Sequence, residues 1–262
     1  MHAILIGMAL SFGSLAPSDI EMAERAAAEF EAGVRDKSRI LLARKHFNAA
    51  ADAYLALHER GHRNAKLYRS LGNALTLADR WPEAIWAYQE GLMLAPGDIT
   101  MRRHLIELRA KVLLPPDGQG RIPSDGWPVW LPRLSVQSCW WLAFGSYLLL
   151  CLAASGWRIS RTRRWIAVGI ASLSAVILFT IALLVAFQGE RLDRERPIAV
   201  VLENTPFRKG NGHAYPQHVS LPTLPRGLET RVIHQRSGWS QVILSTGEIG
   251  WIPTTATRIC RW

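Results

Sequence analysis

Arg158-Ile159-Ser160-Arg161-Thr162-Arg163-Arg164 decides how this chain is laid out. Residues 134–157 before it and 165–189 after it contain no Asp, Glu, Lys or Arg. Each block is long enough to cross a hydrocarbon core of about 30 Å at about 1.5 Å per helical residue. The segment between them holds four arginines and no acid. Short loops beside membrane spans keep Arg and Lys on the cytoplasmic side. The pattern therefore predicts a membrane hairpin with a cytoplasmic loop at 158–164 and both flanking regions facing outward. Trp140, Trp141, Trp157 and Trp165 fall near the block ends, where indoles favour the headgroup boundary. Ala167, Ala171 and Ala175 repeat every fourth residue, a small-residue stripe expected to pack against the first span. Two buried helices of a soluble protein are the competing reading, disfavoured by uncharged runs longer than 18 residues.

Charge follows the same division. The 262 residues carry a formal net charge of +10, and 49% of them are hydrophobic. Residues 1–114 hold 15 basic and 13 acidic side chains, close to balance, whereas the remainder holds 16 against 8. The excess is read as a topology signal, and no nucleic-acid partner is expected. Of the three cysteines, Cys139 and Cys151 lie inside the first block. That leaves no disulfide framework. A Cys139–Cys260 bridge is conceivable in an oxidising compartment, and three separate thiols are the preferred reading.

Upstream, residues 1–17 open with an uncharged apolar run that is too short to span a bilayer. They resemble a secretory signal ending in the small residues Ser14 and Ala16, although no Lys or Arg precedes the run and Pro17 follows it. Export is expected, with cleavage left open. Residues 18–114 show helical periodicity, closed by Pro115-Pro116. A Gly-, Pro- and Asp-containing linker covers 115–133.

Within the helical region, Tyr68-x2-Leu71-Gly72-x2-Leu75, Ala84-x3-Tyr88 and Pro96 reproduce the tetratricopeptide pattern within its period of about 34 residues. Gly72 and Ala84 would let paired helices approach, Leu71, Leu75 and Tyr88 would fill the seam, and Pro96 would close the second helix. Trp81-Pro82-Glu83 reads as the inter-helix turn. One period upstream, Ala50 and Tyr54 match the second helix, while Ser38 replaces the small glycine, so the first unit is degenerate. Residues 99–113 would form an end helix. In such arrays the first helix of each pair lines the groove, which places Lys66, Arg69, Asn73 and Thr76 on a binding face with Arg103 on the next helix. These donors suit a carboxylate or peptide backbone, and a merely solvated face is the alternative.

After the charged stub 190–196, short β-type runs at 198–202, 230–234, 241–244 and 249–252 alternate with Gly, Pro, Asn and Ser, and Ser245-Thr246-Gly247 reads as a tight turn. The series Leu224-Pro225-Arg226-Gly227, Val232, Gly238-Trp239-x2-Val242 and Gly247-x2-Gly250-Trp251-Ile252 resembles the bacterial SH3-like domain over 197–262. The expected fold class is multidomain: α-helical tetratricopeptide repeats, a transmembrane helical hairpin and a small all-β SH3-like barrel. Trp239 and Trp251 could offer an aromatic ligand surface, with at least one expected in the barrel core.

In this order the segments resemble the BatE-type proteins of bacterial aerotolerance operons. The resemblance implies a bacterial inner-membrane protein with two spans and extracytoplasmic terminal domains. Its implied partners are von Willebrand factor A-type membrane proteins, other Bat proteins and a MoxR-type ATPase system. A scaffold of this kind is the leading reading, with peptidoglycan sensing or binding by the tail as the alternative. Neither needs an enzyme activity, a cofactor or a metal.

A third reading starts from His58-Glu59-x-x-His62, which spells the zincin signature. That chemistry needs both histidines on one helix face with the glutamate as general base. Gly61 is a helix-stop residue expected to turn His62 away, and the third-ligand extension is missing. No nucleophile elbow, Walker loop or dinucleotide fingerprint occurs, and His213, His218 and His234 are irregularly spaced.

Overall fold

The computed structural model describes residues 17–112 and 136–260. All but Pro17 of the signal-like segment 1–17 and the whole linker 115–133 lie outside the described residues. The chain divides into two compact units, and the division does not follow chain order. Of the described residues, one unit combines 17–112 with 198–260, and the other is 136–197.

Five helices begin the first unit: α1 (Pro17–Arg35), α2 (Ile40–Glu59), α3 (Ala65–Leu77), α4 (Trp81–Leu94) and α5 (Ile99–Arg109). Their ends follow from local chemistry. Asn64 accepts the Leu67 amide (2.8 Å) to start α3, and Asp98 accepts the amides of Thr100 and Met101 (3.0 Å each) to start α5. The turns after α2 and α3 place Gly61 and Asp79 at φ +92° and +65°. The amides of His62 and Arg80 then return to the carbonyls of Leu57 and Leu75. This is the left-handed stop that satisfies terminal carbonyls. The α3–α4 turn is therefore 78–80, and Trp81 already belongs to α4 rather than to the turn.

Close approach at glycine sets the pairing. A Cβ on Gly72 would lie 2.5 Å from the Tyr88 ring, which packs α4 against α3. In the first hairpin the equivalent contact is Gly33 beneath the Phe47 ring, where a Cβ would sit 2.7 Å away. Ser38, expected in a helix at the small-residue position, instead lies in the turn between α1 and α2. The reason is a change of length. α2 runs for 20 residues against 14 for α4, so its start is displaced from a strict 34-residue repeat and the glycine moves with it.

The β part has seven strands: β1 (Ile198–Val201), β2 (Thr205–Pro206), β3 (Thr223–Leu224), β4 (Glu229–Arg236), β5 (Trp239–Ile243), β6 (Ile249–Pro253) and β7 (Thr257–Ile259). Five of them form an antiparallel sheet in the order β6-β5-β4-β1-β7, and β2 pairs with β3. All four expected strand segments are present. The Ser237-Gly238 turn, with φ +51° and +78°, joins β4 to β5 directly. Two successive positive-φ residues match the right-handed twist of a hairpin. One face of the sheet encloses Ala199, Val201, Phe207, Leu224, Val232, Val242, Leu244 and Ile252.

The second unit contains α6 (Val136–Ser160) and α7 (Arg163–Glu195). Both are long and apolar enough to cross a membrane, and only 11% and 6% of their apolar windows is buried, unlike core helices. The connection is shorter than the expected 158–164 loop: only Arg161 and Thr162 are non-helical, with Arg161 at φ +47°. Trp165 lies flat over Gly156, where a Cβ would come within 2.6 Å of its ring. The packing stripe also differs from the expected one. Cys139, Ser146 and Ala153 are buried on α6 and Ser172 on α7, whereas Ala167 and Ala171 are exposed and Ala175 only partly covered. Adjacent helical residues differ by about 100°, so Ala171 points away when its neighbour Ser172 faces in. Hydroxyls of Ser146, Ser174 and Thr180 donate to carbonyls four residues earlier, leaving no unsatisfied donor among them.

Candidate interaction site

β1 reads Ile-Ala-Val-Val with no polar side. Ala199 and Val201 enter the β core, while Val200 joins the helical core together with Cys260 and the partly buried Ile198. The sheet thus has a second buried face, formed by β7, β1 and the start of β4, and α4 covers it. Helix α4 is correspondingly apolar almost all round, with ten of its fourteen residues buried.

The buried polar groups named in this joint have partners. Glu229, 5% exposed, accepts two bonds from the Arg109 guanidinium (2.7 and 3.1 Å) and one from the Gln89 amide. A buried carboxylate needs such charge-assisted donors. The Trp86 indole N–H donates to the Ile259 carbonyl at 3.2 Å, giving β7 a partner at the sheet edge. The Arg258 guanidinium lies 4.2 Å from the Trp86 ring centroid, with its pKa drawn below the usual guanidinium range by burial. Arg226 sits over Trp81 at 4.9 Å, and Gly227, at φ +79°, leaves room for the same indole.

The zincin-like residues are absorbed into this architecture. α2 ends at Glu59, so His58 and His62 do not share a helical face. His58 hydrogen-bonds the Tyr68 hydroxyl at 2.9 Å and packs edge-on to Trp86, with ring centroids 5.0 Å apart. Burial lowers its pKa, and the positive charges of Arg258 and Arg63 act in the same direction. His62 instead meets Asp19 of α1 at 2.8 Å, beside Arg60. Among the described residues, no group of three or more His, Cys, Asp or Glu is placed to hold a metal ion, and no disulfide is present.

The expected groove residues are partly committed to the fold. Arg69 pairs with Asp98, the cap of α5. Asn73 accepts the Tyr88 hydroxyl at 2.7 Å, and Thr76 donates to the Gly72 carbonyl at 2.7 Å. Lys66 is partly buried, and Arg103 is exposed. Tyr68, Leu71, Gly72, Ala84 and Tyr88 are buried in the helical core region, and Pro96 follows the end of α4 with its carbonyl bound by Arg102 at 2.6 Å.

Of the two tryptophans, one expected to be buried, Trp239 is buried and Trp251 is not, and neither joins the apolar cluster enclosed by the other face of the sheet. Trp239 pairs with Pro253, and Gln241 with Trp251, so both indoles stand on the sheet face opposite the core. Trp239 is nonetheless buried, with the edge of His213 at 5.1 Å, whereas Trp251 is half-buried.

The residues that sequence reasoning missed are Trp81, Trp86, Gln89, Arg109, Glu229 and Arg258. The available signals were the all-apolar β1 and the paired tryptophans of α4. Comparison with family models, curated proteins and solved structures finds no match for this chain.

Proposed function

We propose that the chain is a membrane-anchored protein–protein interaction scaffold in a bacterial envelope complex. Its helices would act as tetratricopeptide repeats and its β part as an SH3-like domain, both extracytoplasmic and held at the inner membrane by two spans. The observation that carries the reading is the co-folding of the two segments that flank the apolar helices. Segments that pack into one unit must lie on the same side of a bilayer, which requires an even number of crossings between them. The arginines at the hairpin tip support a cytoplasmic tip and an outward unit. By resemblance, the partners are von Willebrand factor A-type membrane proteins, other Bat-type proteins and a MoxR-type ATPase system. No catalytic step is part of this proposal.

Cross-linking in native membranes, followed by recovery of the tagged chain, tests it. Recovery of von Willebrand-type or Bat-type membrane proteins supports the scaffold. An Arg103→Glu variant should lower that recovery several-fold without changing thermal stability, because Arg103 is exposed and makes no ion pair among the described residues. Arg69→Glu is a poorer probe, since Arg69 also holds Asp98. The amide and indole of Gln241 and Trp251 on the outer sheet face favour a second reading, peptidoglycan binding, as sugars stack on such surfaces. Recovery of wall fragments alone would select it.

A further inference from the structure

The turn between α1 and α2 carries a surface that the scaffold reading does not use. Ile40 and Leu41, consecutive at the start of α2, are 77% and 85% exposed, and Val34 at the end of α1 is also exposed. Arg35, Lys37, Arg39 and Lys45 surround them, all exposed and without an ion pair among the described residues. The one acid of the turn, Asp36, is 3.7 Å from the His46 imidazole. Arg39 caps α2 without lending a side chain to its first amides, so the positive end of a 20-residue helix has no side-chain cap among the described residues. Three features therefore converge: these cations, the helix-terminal N–H groups and a protruding aliphatic pair. The first two favour phosphate. The third favours the boundary between headgroups and acyl chains.

We infer that this turn docks on an anionic phospholipid surface, with Ile40 and Leu41 entering the interface and Arg35, Lys37, Arg39 and the α2 amides holding headgroup phosphates. A soluble acidic peptide would satisfy the cations but leave two neighbouring aliphatic side chains in water. A chain with two apolar helices of spanning length keeps a bilayer at high effective concentration, so even weak docking is populated. The inference rests on the proposed membrane insertion: failure of the chain to reconstitute would count against that reading, whereas the outcomes below concern a reconstituted chain.

The test places a benzophenone-bearing amino acid at position 41 of the full chain, with position 24 on α1 as the exposed control. The chain is reconstituted into vesicles of phosphatidylglycerol and phosphatidylethanolamine, or of phosphatidylcholine alone, and the adducts are identified by mass spectrometry. The expected result is a lipid adduct at position 41, stronger in the phosphatidylglycerol vesicles. Combining Arg35→Glu, Lys37→Glu and Arg39→Glu should reduce it about tenfold or more. These positions are exposed, and an unchanged melting temperature shows that the fold survives. Adducts to residues 1–16, to a second copy or to a co-purifying protein would overturn the inference. So would lipid labelling no greater than at position 24, or labelling indifferent to charge reversal.

Discussion

Arg109 at the end of α5 and Glu229 at the start of β4 are 120 residues apart in sequence and joined by two hydrogen bonds of 2.7 and 3.1 Å. Everything that forms the apolar hairpin lies between them. Glu229 is almost fully buried and Arg109 only partly so, which makes the consequence of breaking the pair asymmetric. Arg109→Ala leaves a buried carboxylate and is expected to cost about 2–4 kcal/mol, whereas Arg109→Ala with Glu229→Gln should cost less than the two single changes added together. Denaturant unfolding of the four chains checks this, and strict additivity would contradict it.

The joint between α4 and the sheet also implies mutual dependence. A chain ending at residue 125 exposes Trp81 and Trp86, which the β part otherwise covers. It is expected to aggregate or bind a hydrophobic dye. Supplying 198–262 in trans should restore solubility, because the contacts need no covalent link. Equal solubility with and without the β segment would rule the dependence out.

Packing at glycine gives a graded comparison. Gly72→Ala drives a methyl into the Tyr88 ring and is expected to cost about 1–3 kcal/mol. Gly61→Ala meets nothing within 4 Å but sits at φ +92°, so only about 1 kcal/mol is expected, from backbone strain. Thermal melts of both variants in the whole chain give the order, and a larger loss for Gly61→Ala would reverse the argument.

Acidity should act through His58 before it acts through Asp19. Burial depresses the His58 pKa, so the unfolded chain binds the proton more readily. Stability from this group is complete above the unfolded value of about 6.5 and falls as pH drops below it. Hydrogen bonds from Arg60 and His62 lower the Asp19 pKa, so its contribution is lost only as pH falls below about 3.9. His58→Phe keeps an aromatic ring beside Trp86 and should flatten the pH dependence of unfolding below about 6.5. Parallel curves for the variant and the parent would show that His58 does not contribute.

The parts of this architecture that are local in sequence were readable. The two uncharged blocks, the α4 stop before Pro96, the Gly61 turn and four strand segments each depend on neighbours within one turn or hairpin. The joint was not readable in the same way. Its bonds link residues 120, 140 and 173 positions apart, and helical or strand periodicity shows that a face is buried without showing what covers it. Side-chain engagement within the fold was hidden for a related reason. Asn73 and Arg69 have the chemistry of ligand donors, but Tyr88 and Asp98 claim them first. The alanine stripe had the right residue type on the wrong side of α7, because spacing alone leaves the rotation of a uniformly apolar helix undetermined.

The central claim is a two-span anchor with both flanking segments outside. Thiol labelling tests it most directly, with Cys139, Cys151 and Cys260 replaced and single cysteines introduced by Glu24→Cys, Arg236→Cys or Thr162→Cys, the three new positions being exposed. A membrane-impermeant maleimide applied to intact spheroplasts should label positions 24 and 236 and should reach 162 only after the membrane is opened. Labelling of 162 from outside, or protection of 24 or 236, would contradict the account.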